Sequence, residues 1–213
     1  MSRGIRSFFL LSRLNSNAKA RTLIPGFKPV HDALQKAADG KRNADNDELF
    51  ARGPVIEMRE IVAVFITVFQ LDLLKVVAKN YDDPLYKAML PKGLTEFRKL
   101  SGQALADELA RIILRLQELD KTHPLVAHLP ELQKLVKDFA VPLKDHKAAV
   151  AAQVAADVVA LNARAVWRVE YDAIAGSLRK MFPGRKSYQE SFFYAEAAQR
   201  AKKSEPETGG TQG

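Results

Sequence analysis

The feature that most narrows the possible folds is the run from residue 130 to residue 182. It holds one internal proline, Pro142, one internal glycine, Gly176, and a middle made mostly of alanine and valine. Helical at about 1.5 Å per residue, such a run reaches roughly 60 Å or more and needs neighbours along its length. It predicts an all-α chain: an up-and-down helical bundle of four to six helices with one very long, Pro-kinked C-terminal helix. A sheet around a pocket has no place for it.

With 213 residues, 47% of them apolar, the chain can bury a core without covalent staples. Cysteine is absent, which removes disulfides and thiolate metal sites. The net charge of +8 is unevenly spread. Residues 1–31 carry Arg3, Arg6, Arg13, Lys19, Arg21 and Lys28 and no acid, and the remainder is nearly balanced. Any attraction for polyanions therefore acts through an N-terminal arm and not through the body.

Residues 2–14 read as a short amphipathic helix. Arg3, Arg6 and Arg13 share one arc of the wheel, Ile5, Phe8, Phe9 and Leu11 take the other side, and Leu10 falls among the arginines. Three uses fit such a segment: a mitochondrial transit peptide, an interfacial helix on an anionic membrane, or an exchanged arm docking its apolar side in a neighbour's groove. The bland counterpart is a frayed, basic start of the bundle. Phe8 to Leu11 are too apolar to leave in water, which favours assembly. The candidate interaction residues are thus Arg3, Arg6, Phe8, Phe9, Leu11 and Arg13.

The expected organisation is an arm over 1–27, a helical bundle domain over 28–203 and a polar, disordered tail over 204–213. Within the bundle a first helix spans 28–38 and stops at Gly40, and 41–47 is loop-like. Pro54 then opens a central helix reaching about residue 80, apolar nearly all round. A short turn covers 84–90. A helix over 101–121, capped by Ser101, shows Leu105, Leu109, Ile112, Leu116 and Leu119 as its stripe. In the long element the stripe is Leu132, Leu135, Val136, Phe139 and Leu143, then Val150, Val154, Val158, Leu161 and Ala165. Small residues at 148, 149, 151, 152, 155 and 156 suit close helix packing. A last helix spans 187–203. The longest apolar run, residues 61–69, is too short for a bilayer, so no transmembrane segment is expected.

Reactive constellations are few. A di-iron bundle needs Glu-x-x-His on two helices, and none of His31, His123, His128 and His146 follows a glutamate by three. His123 and His128 flank a proline-rich connection and read as solvated or capping. Glu57 and Glu60 sit one turn apart on an apolar helix, where burial could split their pKa values. The bland alternative is two acids near a helix N-terminus, favoured by the macrodipole. Residues 184–187 resemble the end of a phosphate loop, but the upstream glycine is Arg179. Trp167, Tyr171, Tyr188, Phe192, Phe193 and Tyr194, with arginines nearby, suggest either a stacking surface for single-stranded nucleic acid or core packing, and core packing is favoured.

Packing surface without converging reactive groups points to a non-enzymatic scaffold or assembly protein. It is expected to associate with itself or another protein through its arm and long helix, with no cofactor and no metal. The alternative is a binder of an anionic partner, nucleic acid or membrane surface, through the arm. The expected location is cytoplasmic, or mitochondrial if residues 1–27 are a transit peptide.

Overall fold

The computed structural model describes residues 3–193. Among them there is no strand. The chain is an all-α helical bundle, as its periodicity predicts. Its contacts group into two compact units, one of Met1–Arg42 with Ala155–Gly213, the other of Asn43–Val154. Two helices of 53 residues each, α2 (Ile24–Val76) and α6 (Leu129–Met181), contribute to both units. Helix α1 is Arg3–Asn15. Between α2 and α6 come α3 (Pro84–Met89), α4 (Gly93–Lys99) and α5 (Gly102–Gln117), and α7 (Lys186–Glu190) follows α6.

The existence of a second long helix corrects the reading of residues 28–80. Helix α2 runs without a break through Gly40, through 41–47 and through Gly53-Pro54. Each glycine costs about 1 kcal/mol in a helix interior, and Pro54 removes a donor. The neighbouring positions hold the helix against these costs: Ala37, Ala44, Glu48 and Val55 are all buried. Their spacing is helical, but Glu48 and the half-buried Lys41 and Asp45 between them are polar, so the stretch looks like a loop in sequence. The helix ends at Val76 because Ala78 and Lys79 turn left-handed, with φ of 50° and 63°. The Lys79 N–H then donates to the Leu74 carbonyl at 2.7 Å, closing the last turn.

Likewise α6 continues through Pro142, flanked by the buried Phe139 and Leu143. Asp83 caps α3 as its proline signal implies, accepting from the Leu85 N–H at 2.7 Å, and Pro84 opens the helix. Ser101 occupies the N-cap of α5 but makes no side-chain cap hydrogen bond, so that expectation fails. The helix expected over 187–203 is described only as the five-residue α7, and its remainder and the 204–213 tail lie outside the described residues.

In the Asn43–Val154 unit the core joins Val62, Ile66, Phe69 and Leu73 of α2 to Leu105, Leu109, Ile112 and Leu116 of α5 and to Leu132 and Phe139 of α6. The expected stripe of α5 is thus the buried one, with Leu119 packed partly against it. In the other unit the core is Leu10 and Leu14 of α1, Phe27 and Leu34 of α2, Trp167, Ile174 and Leu178 of α6, and Phe192. Of the aromatic cluster, Trp167 and Phe192 are thus core and Tyr171 and Phe193 pack partly against it, while Tyr188 is exposed and Tyr194 lies outside the described residues. Trp167 Nε1 donates to Ser7 Oγ at 2.5 Å, which satisfies the indole inside the core.

Candidate functional site

Three features stand apart from plain core packing: the docked arm, a polar seam between α2 and α6, and an uncovered apolar face on α6.

The arm is helix α1, and its docking differs from the wheel in one respect. Leu10, set among the arginines by the wheel, is fully buried with Leu14. Leu11 packs partly against the same core, and Phe9 is half-buried. Phe8 stays 64% exposed, and its ring meets the buried His31 edge-on at 4.8 Å. Arg13 donates from Nε to the Ser191 carbonyl at 3.2 Å and from Nη2 to Ser191 Oγ at 3.0 Å. Its guanidinium lies 5.7 Å from the Phe192 ring centroid. Arg6 is half-buried beside Tyr171, and the side chain of Arg3 lies outside the described residues. The six candidate residues therefore share one helix, but Leu11 and Arg13 face their own chain while Phe8 faces solvent. Burial of His31 pushes its imidazole below the ordinary value; the neighbouring Asp32 opposes this and Lys28 adds to it.

The seam is what made 41–47 look like a loop. In the Asn43–Val154 unit, Glu48 is 4% exposed and lies between Arg52 and His146. Arg52 donates from Nη2 at 2.8 and 2.9 Å and from Nε at 3.0 Å, and His146 Nε2 lies 3.0 Å from Oε1. A carboxylate only accepts, so His146 Nε2 carries the proton in this pair. The hydrogen bonds from His146, then Arg52, hold Glu48 below the usual carboxylate range. Gln153 donates to Asp45 at 2.9 Å beside it. The other unit has its own pair, Lys41 with Asp157. These donors engage both carboxylate oxygens of Glu48.

Glu57 and Glu60 are both exposed and stand in the middle of α2, so neither the buried acid–base pair nor the N-terminal macrodipole accounts for them. His123 does cap, accepting at Nδ1 from the Leu125 N–H at 3.3 Å. His128 is not solvated: its ring packs edge-on against Phe65 and Phe69, and Nε2 lies 3.1 Å from Asp72. Among the described residues no group of three or more histidine, aspartate or glutamate side chains is placed to hold a metal.

The uncovered face is the stripe that the spacing gives for the middle of the long helix: Val150, Val154, Val158, Leu161 and Ala165 are all exposed. The buried positions in this part of α6 are Ala160, Trp167, Ile174 and Leu178, on the opposite side of the helix. The helical stretch Pro124–Met181 contains an 18-residue window apolar enough to cross a membrane by length and composition, and only 6% of that window is buried. Beside it an apolar groove of about 670 Å³ lies between Ala33, Ala37 and Gly40 of α2 and Val159, Ala163 and Val166 of α6.

These features define an all-α helical bundle with an uncovered helix face. Comparisons with protein-family models, with curated proteins and with solved structures each find nothing that matches.

Proposed function

We propose that this protein is a non-enzymatic helical scaffold that assembles with copies of itself, chiefly through α6. The observation that carries the reading is the apolar window on that helix, 6% buried. Exposed single valines are ordinary on a protein surface, but a contiguous apolar face along several turns marks a contact surface. The polar chemistry supports the same reading. Glu48 and His146 are consumed by each other and by Arg52, and Glu57 and Glu60 stand apart in solvent.

Sedimentation of the full chain over a wide concentration range tests this. The expected result is a mass that rises with concentration to a defined oligomer. A monomer throughout the range refutes it.

A further inference from the structure

Helix α1 is apolar on two opposite sides, and its own chain covers one of them. Leu10 and Leu14 turn inward with Ser7. On the 100° wheel the other side carries Ile5, Phe8 and Ser12, with the half-buried Phe9 at its edge. No charged residue falls on that arc, and Arg6 and Arg13 stand together along its flank. Ile5 is 46% exposed and Phe8 64%. The net charge follows the two units. Met1–Arg42 with Ala155–Gly213 holds 18 lysines and arginines against 9 acids, whereas Asn43–Val154 holds 15 against 16. The chain's entire positive excess therefore lies in the unit that presents α1.

Within that unit the C-terminal ends of α1 and α6 come together. Lys19 donates to the Met181 carbonyl at 3.1 Å, and Asn17 donates to the Tyr188 hydroxyl at 2.8 Å. Arg13, Lys19, Arg21, Arg179, Lys180 and Arg185 thereby gather at one end. The nearest acids are Glu190, which faces Lys186 at 4.0 Å, and Asp172, two turns back from Arg179 on α6. Among the described residues the unit's other ion pairs are Lys28 with Asp32, Lys41 with Asp157 and Arg42 with Asp39, so none involves the six. Arg13, Lys19 and Arg21 donate to main-chain carbonyls and keep their full charge. Two helix C-termini account for part of this gathering, but each presents only about half a negative charge. From this we infer that the unit docks on an anionic bilayer surface, the outer side of α1 entering the headgroup region and the cationic end holding lipid phosphates. The two signals act together: a short apolar face alone binds weakly, and each lysine or arginine near the surface adds a gain of about fivefold. A nucleic acid would engage the same cations but fits Ile5 poorly, which offers a base neither a hydrogen bond nor a ring.

The inference stands apart from self-assembly through α6 and holds equally for a monomer. Its test uses the full chain with vesicles of phosphatidylcholine alone and of phosphatidylcholine containing about one third phosphatidylserine. Co-sedimentation is expected with the anionic vesicles only. It should be lost as salt rises from about 0.1 to 1 M, where the screening length falls from about 10 to 3 Å. Arg179→Gln, Lys180→Gln and Arg185→Gln together should weaken binding about a hundredfold. All three side chains are exposed, so the fold should be retained, and urea unfolding followed at Trp167 checks this. Ile5→Ser with Phe8→Ser should weaken binding about tenfold or more. The chain has no cysteine, so Phe8→Cys carries one environment-sensitive dye, whose emission should shift to the blue on anionic vesicles. No binding to the anionic vesicles, or equal binding to neutral ones, overturns the inference. Binding to a single-stranded oligonucleotide in place of vesicles overturns the partner. Vesicle binding kept by the Ile5→Ser, Phe8→Ser variant, with no shift of the dye, overturns the role of α1.

Discussion

Replacing Leu14 by alanine tests whether the arm belongs to the folded unit or hangs from it. Leu14 is fully buried, so the change removes three enclosed carbons. At about 0.8 kcal/mol per buried methylene the transfer loss alone is about 2.4 kcal/mol, and the cavity left behind raises it to about 3–4 kcal/mol. Phe8→Ala is the internal control: its ring is 64% exposed, and the expected cost is about 0.5 kcal/mol or less. The chain's one tryptophan, Trp167, sits in the core that Leu14 lines, so its fluorescence reports on that unit alone. Urea unfolding followed at Trp167 should shift its midpoint by about 2 M for Leu14→Ala, taking a slope of about 1.5 kcal/mol per molar, and barely for Phe8→Ala. Far-ultraviolet dichroism, which sees both units, should lose the coincidence of its transition with fluorescence in the variant. If Leu14→Ala leaves the tryptophan transition in place, α1 is not held in that core and the reasoning fails.

Two further predictions concern pH. Glu48 is held below its ordinary value of 4.5 by His146 and Arg52, so the seam contributes stability that is present above about pH 4.5 and is lost as pH falls through the lower folded-state value. Urea midpoints between pH 7 and pH 3 should fall less steeply for Glu48→Gln than for the native chain; parallel curves would refute the assignment. His31 is held below 6.5 by burial, so the unfolded chain takes up its proton first and stability declines as pH drops below about 6.5. His31→Phe should flatten that upper part of the acid limb in the Trp167 signal, and an unchanged slope between pH 6.5 and 5 would count against it.

How legible was this fold? Where helices bury apolar stripes against other helices, the periodicity suffices: Leu105, Leu109, Ile112 and Leu116 on α5, and Leu132, Leu135 and Phe139 on α6, are buried as their spacing implies. It fails where helices meet through polar or small residues. Ala37, Ala44 and Glu48 keep a helical spacing of seven and four, but alanine is uninformative and a glutamate on the buried side reads as exposed. The glycines and Pro54 then seemed to punctuate what is one helix, since local propensity is a weak prior against packing. Valines at 150, 154 and 158 are legible as a stripe and no further: the period is right, and nothing in a single sequence says which of two opposed faces finds a partner within the chain. A heptad search finds the face built from Ala160, Trp167 and Ile174. The candidate site was therefore visible as residues but not as a surface.

The two faces of α6 make the same point energetically. Glu48 between Arg52 and His146 is a buried ionic cluster, and such clusters are often no more stable than an apolar replacement of the same shape. What they can supply is register. Alanine-rich helices offer few side-chain landmarks and can slide by a turn at small cost, whereas a slip of α2 along α6 in that unit would part both Asp45 from Gln153 and Glu48 from His146. Leaving Glu48 without its partners would strand a carboxylate that is shielded from water, so the slip is opposed even though the seam adds little net stability. The usual pattern is thereby inverted over this length of α6, with hydrogen-bonded polar groups turned inward and valines outward. Water tolerates that inversion poorly along several contiguous turns.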